Sequence, residues 1–307
     1  MKNSQIKLAL IQHIYADSVE QNLKNLEAQI RRAAESGANL IALPELHNNH
    51  YFCQTENPQN FDLAELLDGP TTSRLGVLAE QLNVVIIGSI FEKRAAGLYH
   101  NTAVVLDSNG TLVGWYRKMH IPDDPGYHEK YYFAPGDLGF NPVKTSLGKI
   151  GVLICWDQWF PEAARLMALA GAEILIYPTA IGWDRQDSDE EKERQLDAWF
   201  MIQRAHAIAN GIPLAAVNRT GFEPEFPGAE TGIDFWGNSF IAGPQGEMLA
   251  QASTGECQVL LAEIDLNRSE QVRRIWPYLR DRRIDAYKEI SQRFRDQSDI
   301  SNDSGSN

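Results

Sequence analysis

Short apolar runs alternate with amphipathic segments along most of this chain of 307 residues. Residues 6–11 have the pattern of a buried strand, and Leu23, Leu26 and Ile30 then recur at helical spacing. The alternation returns further along the chain, where an apolar run at residues 174–177 precedes a long helical pattern at residues 190–210. Such a pattern predicts an α/β fold in which helices cover sheets.

Two hairpin signals interrupt the alternation. Predicted strands at residues 98–106 and 112–117 are joined by a turn that contains Asn109-Gly110. Two later predicted strands, at residues 238–242 and 259–264, flank a turn at residues 243–246. Hairpins among strand–helix units predict a mixed sheet, or two sheets, with helices outside.

The chain length fits one large α/β domain with extensions. We predict that residues 1–296 form this domain. Residues 297–307 are rich in Ser, Asn, Asp and Gly and are predicted to be a disordered tail.

The charge balance bears on the kind of partner that the protein takes. Lys and Arg number 28 against 41 Asp and Glu, so the formal net charge is −13. An acidic chain is a poor binder of nucleic acid, because phosphate binding needs a basic face. The same charge is compatible with a cationic small-molecule substrate. We therefore predict no nucleic-acid partner.

Other features of the composition indicate the compartment. The three cysteines are too few and too scattered for a disulfide framework, so a reducing, cytoplasmic setting is predicted. No apolar run reaches about 18 residues, and no membrane span is expected. The chain contains no CxxC or HExxH motif, so no metal site is expected either.

Three chemically capable side chains follow predicted strands. Cys155 comes after the apolar run at residues 151–154, Glu45 follows a short apolar run, and Lys118 follows the strand at residues 112–117. Taken alone, Glu45 and Lys118 are more simply a surface acid and a solvated base. A lone cysteine is as often a buried structural residue as a nucleophile.

Taken together, the three side chains match the needs of one reaction. Hydrolysis of an amide-like bond needs a nucleophile, a proton carrier and a positive group that stabilises the developing oxyanion. Cys155, Glu45 and Lys118 can supply these in that order, since a desolvated glutamate can serve as the base for a thiol. A binding protein without turnover would not need all three.

These residues lie in motifs that resemble those of the nitrilase superfamily, whose members use a glutamate, a lysine and a cysteine. The resemblance extends from about residue 6 to about residue 265, with the motifs in the family's order. The segments that carry it are Leu43-Pro44-Glu45, Arg117-Lys118-Met119-His120, Ile154-Cys155-Trp156-Asp157 and Phe160-Pro161-Glu162.

The resemblance implies both a fold and a set of roles. The family fold is an α-β-β-α sandwich whose subunits pair into an α-β-β-α-α-β-β-α dimer, so a homo-oligomer built from dimers is expected. The resemblance implies Cys155 as nucleophile, Glu45 as proton carrier and Lys118 as oxyanion stabiliser, with no cofactor. Glu129 lies where amidases of the family have a second glutamate, which could position the substrate, hold Lys118 or assist the water step.

Within the superfamily the chain most resembles the N-carbamoylputrescine amidohydrolases. This resemblance implies a cationic ureido substrate, hydrolysed through a carbamoyl-cysteine intermediate. Plant members commonly have Ser and Glu after Gly182, where this chain has Trp183 and Asp184, a difference that changes the predicted pocket wall. The segments that carry the resemblance are Pro122-Asp123-Asp124-Pro125-Gly126-Tyr127, Tyr177-Pro178-Thr179-Ala180-Ile181-Gly182, Asn218-Arg219 and Gly237-Asn238-Ser239-Phe240-Ile241-Ala242-Gly243-Pro244.

A terminal ammonium needs a carboxylate or aromatic faces in its pocket. We expect Asp184 to receive the ammonium, with Trp156, Trp183 and Tyr51 as further substrate contacts. The other interpretation is that the acids at residues 184–193 belong to a solvated loop and to the first turns of a helix.

One other kind of function remains open from the sequence, and a second is disfavoured. An amidohydrolase for N-carbamoyl-β-alanine or for an N-carbamoyl amino acid would need arginines for the substrate carboxylate, and Arg185 and Arg219 are candidates. A nucleotide-binding module lacks support, because no GxGxxG follows the first strand and no GxxxxGK[ST] occurs.

Overall fold

The computed structural model describes residues 5–16 and 18–296, which form two six-stranded sheets, a small three-stranded sheet and helices. The helices are α1 (Val19–Glu35), α2 (Pro70–Leu82), α3 (Glu129–Tyr132), α4 (Pro161–Leu169), α5 (Asp189–Asn210) and α6 (Leu266–Ile275). The strands are β1 (Gln5–Gln12), β2 (Leu40–Ala42), β3 (Val85–Ala95), β4 (Leu98–Leu106), β5 (Leu112–Arg117), β6 (Val143–Thr145), β7 (Gly148–Val152), β8 (Ile174–Thr179), β9 (Gly182–Asp184), β10 (Leu214–Asn218), β11 (Thr220–Pro224), β12 (Gly232–Trp236), β13 (Phe240–Ala242), β14 (Met248–Gln251) and β15 (Gln258–Asp265).

The first sheet has the strand order β15-β1-β2-β3-β4-β5. Strand β2 is parallel to both β1 and β3, and the other neighbouring strands are antiparallel. Successive side chains of β1 point to opposite faces, as strand geometry requires. Ala9 and Ile11 pack with apolar residues of α1 and α2, whereas Leu8 and Leu10 pack in the core that contains the second sheet.

The second sheet has the order β14-β13-β10-β8-β7-β6, with β7, β8 and β10 parallel. Its residues share one core with the first sheet and with α4 and α5, which contribute Met167, Trp199 and Ala207. The chain is therefore layered as helix, sheet, sheet and helix. The predicted α/β sandwich is confirmed.

The pairing of the last strands corrects one prediction. The turn at residues 243–246 leads into β14, which pairs with β13 in the second sheet, whereas β15 pairs with β1 in the first sheet. The prediction that this turn is flanked by the strands at residues 238–242 and 259–264 is wrong. Strand β14 lies at a sheet edge and is only four residues long, so its three apolar residues, which are mostly exposed, are too short a run to identify it in the sequence.

The third sheet, of order β11-β12-β9, was not expected from the sequence, since each strand is short and all three contain glycine. Across residues 5–16 and 18–296, no helix has the length and apolar character needed to cross a bilayer. The predicted tail at residues 297–307 lies outside the described residues, and the domain boundary at residue 296 stays a prediction.

Candidate active site

Glu45 lies just beyond β2 and its side chain is fully buried. Its backbone N–H donates to the carbonyl of Thr179 at 3.3 Å, which links the ends of β2 and β8 across the two sheets. Carboxylate oxygen Oε1 accepts hydrogen bonds from Asn101 Nδ2 at 2.7 Å and Lys118 Nζ at 2.8 Å. Oxygen Oε2 is buried and has no partner within the described part of the chain, so it can accept a proton.

Lys118 follows β5 and lies between two carboxylates. Its ammonium donates to Glu45 at 2.8 Å and to Glu129 at 2.7 Å, and all three side chains are inaccessible to solvent. Burial on its own lowers the pKa of Lys118, but the neighbouring carboxylates of Glu129 and Glu45 outweigh it and raise that pKa well above its usual value. The lysine therefore stays charged across the physiological pH range.

Glu129 begins α3 and is also held by Tyr51, whose hydroxyl donates to Oε1 at 2.6 Å. Burial raises the pKa of Glu129 to about 7, with the charge of Glu45 acting in the same direction and Lys118 opposing both. A carboxyl with this pKa exchanges its proton near neutrality, as a group that assists acid–base chemistry must.

Cys155 begins a single 3-10 turn at residues 155–159. Its φ of 42° lies in the left-handed region, which is strained for a residue with a side chain and typical of functional turns. The thiol faces the carbonyl of Ala180 at 3.7 Å. Burial and the charge of Glu45 raise the pKa of Cys155 well above its usual value, although Lys118 opposes them. The cysteine is thus a neutral thiol that needs a base.

A buried aspartate two residues further on joins the cysteine turn to the lysine segment. Asp157 accepts hydrogen bonds from the N–H of Ile154 at 3.0 Å and the hydroxyl of Tyr116 at 2.9 Å. It also accepts from the backbone N–H of His120 at 3.0 Å, and His120 Nδ1 lies 2.7 Å from the same carboxylate oxygen. Asp157 belongs to one of the motifs that carry the family resemblance, and its distance of two residues from Cys155 was the available signal for its role.

An open cavity of about 1570 Å³ extends outward from the cysteine. Cys155, Trp156, Trp159 and Ala180 are among its lining residues, and strands of the third sheet contribute to its wall. Six acidic residues line the cavity against two arginines: Asp124, Asp184, Asp187, Glu191, Glu225 and Glu230, with Arg185 and Arg194.

Both arginines of the cavity wall are already paired. Arg185 lies 3.2 Å from Asp234, and Arg194 lies 3.2 Å from Glu191. The uncompensated charge of the wall is therefore negative. Such a wall favours a cationic ligand over an anionic one.

Of the four predicted substrate contacts, two line the cavity and two do not. Trp156 and Asp184 line the cavity, and Asp184 is exposed there. Tyr51 and Trp183 are not among the lining residues. Tyr51 contacts Glu129 instead, while the ring of Trp183 packs 5.5 Å from that of Trp236 and its indole N–H donates to the carbonyl of Lys192.

Further residues support the site and were missed in the sequence. Asn101 supports Glu45, as described above. The amide of Asn218 pairs with both backbone groups of Ile181, at 3.0 and 2.9 Å, and the hydroxyl of Tyr127 accepts the N–H of Gly182 at 3.0 Å. Tyr127 and Asn218 lie in segments that carry the family resemblance, but their polar groups act on backbone that is distant in sequence, so the sequence assigned them no role.

The chain is similar to known proteins over most of its length. A family model described as carbon-nitrogen hydrolase matches residues 7–274. An N-carbamoylputrescine amidase of Solanum lycopersicum is 47% identical over 291 residues, which cover 94% of this chain and 95% of that protein. A citrullinase of Francisella tularensis is 42% identical over 290 residues, which cover 94% of this chain and 99% of that protein.

A solved structure agrees with these matches. The crystal structure of a carbon-nitrogen hydrolase from Helicobacter pylori G27 superimposes with a TM-score of 0.92 at 53% identity, covering 95% of this chain and all of the other. A score this high over nearly the full length means that the layers and the strand order described above are shared.

Proposed function

Because the chain belongs to the carbon-nitrogen hydrolase family, we propose that it hydrolyses N-carbamoylputrescine to putrescine, carbon dioxide and ammonia. The observation that carries this proposal is the acidic cavity that leads to the buried thiol of Cys155. The substrate has a ureido group at one end and an ammonium at the other. An acidic wall attracts the ammonium, while the neutral ureido group enters towards the cysteine.

In the first half of the reaction Glu45 takes the thiol proton and Cys155 Sγ attacks the carbamoyl carbon. The free oxygen Oε2 of Glu45 is suited to receive that proton, since its other oxygen is engaged by Lys118 and Asn101. Lys118 and the backbone N–H of Trp156 stabilise the oxyanion. Glu45 then passes its proton to the substrate nitrogen as the carbon–nitrogen bond breaks, and putrescine leaves.

In the second half, water cleaves the carbamoyl-cysteine. Glu45 takes a proton from the water, whose oxygen attacks the carbamoyl carbon, and the carbon–sulfur bond breaks. The sulfur recovers a proton from Glu45, and the carbamic acid released decomposes to carbon dioxide and ammonia. Glu129 holds Lys118 in place throughout, through the contact at 2.7 Å.

A citrullinase activity is the second candidate, supported by the relative from Francisella tularensis. Citrulline has the same ureido group, but its other end carries a carboxylate beside the ammonium. That carboxylate needs a cation, and both arginines of the cavity wall are already paired with acids. N-carbamoyl-β-alanine and N-carbamoyl amino acids also end in a carboxylate and are disfavoured for the same reason.

The proposal is tested by ammonia release from N-carbamoylputrescine, citrulline and N-carbamoyl-β-alanine in parallel. We expect the highest kcat/KM for N-carbamoylputrescine, loss of turnover in Cys155→Ala and normal turnover in the control Cys257→Ala, which removes an exposed thiol. A higher kcat/KM for citrulline would replace the proposed substrate. A preference for N-carbamoyl-β-alanine would contradict the argument from the cavity charges.

A further inference from the structure

Arg219 follows β10 directly, in the second sheet, and only 3% of its surface is exposed. Its guanidinium donates hydrogen bonds to three backbone carbonyls of one distant segment. These carbonyls belong to Glu45, at 3.2 Å from Nε and 3.1 Å from a terminal nitrogen, to Leu46 at 2.5 Å and to Asn49 at 2.8 Å. One side chain thus holds the segment that carries the proposed base.

The same guanidinium reaches the other end of the segment through Glu223. Arg219 donates to one oxygen of Glu223 at 2.6 Å, and the second oxygen accepts the backbone N–H of Tyr51, also at 2.6 Å. The hydroxyl of Tyr51 in turn donates to Glu129. Both carboxylates that contact Lys118 therefore depend on this buried ion pair, one through the backbone and one through a tyrosine.

The backbone between these contacts is strained. Leu46 has a φ of 48°, in the left-handed region that disfavours residues with a side chain. Its N–H donates to Ser89 Oγ at 3.0 Å, and its carbonyl accepts from Arg219. A conformation of this kind persists only where the surroundings impose it.

The orientation of Arg219 excludes the role that the sequence left open for it. All three guanidinium nitrogens are engaged by Glu223 and by backbone carbonyls, and Arg219 is not among the residues that line the cavity. It is therefore not available to bind the carboxylate of a substrate.

We propose that Arg219, paired with Glu223, is a positioning residue that holds Glu45 against Lys118 and Glu129 through the segment at residues 45–51. The inference rests on the proposed role of Glu45 as base. Arg219 acts through Glu45 without touching the substrate, so its replacement lowers the reactivity of Cys155 and leaves the cavity wall unchanged.

The test measures the rate at which iodoacetamide alkylates Cys155, followed by mass spectrometry of the Cys155 peptide. It compares the wild type, Arg219→Lys, Glu45→Gln and the double variant. A displacement of about 1 Å costs roughly a hundredfold in such reactions, so we expect a loss of about that size in each single variant. We expect no further loss in the double variant, because both changes remove the same contact.

Two controls separate positioning from a general structural effect. Arg273→Lys replaces an arginine that donates twice to the carbonyl of Asn210, at 3.1 and 2.9 Å, and is expected to alkylate at the wild-type rate. Glu223→Gln keeps an acceptor for Tyr51 but weakens the ion pair, and should give an intermediate rate if Arg219→Lys does not fold.

The proposal is overturned if a folded Arg219→Lys alkylates at the wild-type rate, or if the losses of the two single variants multiply in the double variant. A normal rate in Glu223→Gln would also contradict it. The assay needs no knowledge of the substrate. A failure of the proposed function, seen as no ammonia release from any ureido compound, is therefore distinguishable from a failure of this inference.

Discussion

Two buried carboxylates contact Lys118, and this arrangement explains the ionisation of the site. One ammonium between two carboxylates leaves one negative charge without a counter-ion, and burial makes that charge costly. This cost raises the pKa of Glu129 to about 7, while the two carboxylates stabilise the ammonium of Lys118. The site thus holds a proton near neutrality without losing the positive charge that stabilises an oxyanion.

This ionisation predicts how stability depends on pH. Glu129 has an ordinary pKa of 4.5 and a pKa of about 7 in the folded chain, so between these values the folded state retains a proton that the unfolded state has lost. Its contribution to stability therefore declines as pH rises through this window. In Glu129→Gln the decline in unfolding free energy from about pH 5 to about pH 8 should be smaller by on the order of 2 kcal/mol.

Urea unfolding of both proteins at the two pH values measures this difference. The histidines whose pKa burial lowers, such as His47 and His206, are present in both proteins and cancel in the comparison. Parallel pH dependences in the wild type and the variant would contradict the assignment of the retained proton to Glu129.

Asp184 provides a prediction about substrate preference. It is exposed on the cavity wall, where its side chain accepts only the N–H of Gln186 among the contacts described. Asp184→Lys should reverse the attraction for an ammonium, so the ratio of kcat/KM for N-carbamoylputrescine to that for N-carbamoyl-β-alanine should fall roughly tenfold. Asp62→Lys, an equal charge change outside the cavity, is the control. An unchanged ratio in Asp184→Lys would remove this residue from the binding of the ammonium.

At the scale of elements, features that depend on neighbouring residues were predicted from the sequence. Features that depend on pairing between distant segments were not. The hairpin strands at residues 98–106 and 112–117 have the predicted bounds, since alternating apolar residues and an Asn-Gly turn are local signals. Glu45, Lys118 and Cys155 are each expected at a strand end for the same reason. The sheet to which each strand belongs depends on pairing between distant segments, which left β14 and the third sheet unforeseen.

The polar contacts that support the site also join segments that are distant in sequence, so they were not predicted. Asp157 lies within a quoted motif, but its bonds to Tyr116 and His120 cross from one sheet to the other and leave no local pattern. Arg219 was considered as a ligand for a carboxylate because its charge is visible in the sequence, whereas its contacts with the segment at residues 45–51 are not.

The turn that carries the cysteine depends on Asp157, which gives a prediction at this scale. Asp157 makes four short contacts through its two carboxyl oxygens. Asp157→Asn puts an amide in that place, which has one acceptor oxygen and cannot satisfy all four. We expect a loss of about 2 kcal/mol in unfolding free energy and a separate fall in kcat, because the strained backbone of Cys155 is released.

Asp107→Asn is the matched control, because Asp107 also accepts backbone N–H groups, those of Ser108 and Ser146, but lies at a hairpin outside the site. It should lower stability and leave the kcat of the folded protein unchanged. Equal effects of the two substitutions on kcat would mean that Asp157 only stabilises the fold.

At the scale of the whole molecule, the outer helices expose apolar side chains. Leu166 and Leu169 of α4 and Met201 of α5 are exposed, as are Ile275 and Trp276 at the end of α6. Apolar surface of this kind is characteristic of contacts between subunits. It supports the dimer that the family resemblance implies, and we expect the purified protein to be a dimer by light scattering.

Substitutions on this surface test the expected dimer. Leu169→Lys combined with Met201→Lys should shift the mass to that of a monomer, because two charges would be buried without partners. Leu66→Lys is the control, since Leu66 is 59% exposed and Met201 62%, but Leu66 lies outside α4 and α5. A dimer that persists in the double variant would exclude this face as the subunit contact.

The central claim is that Cys155 carries the carbamoyl group of the substrate, and quenched mass spectrometry tests it most directly. The enzyme is mixed with N-carbamoylputrescine, stopped in acid during turnover and digested. We predict a carbamoyl adduct on the Cys155 peptide and on no other cysteine, with putrescine released in an amount equal to the adduct plus the ammonia formed. Turnover without an adduct on Cys155, or an adduct that persists elsewhere in Cys155→Ala together with ammonia release, would contradict the account.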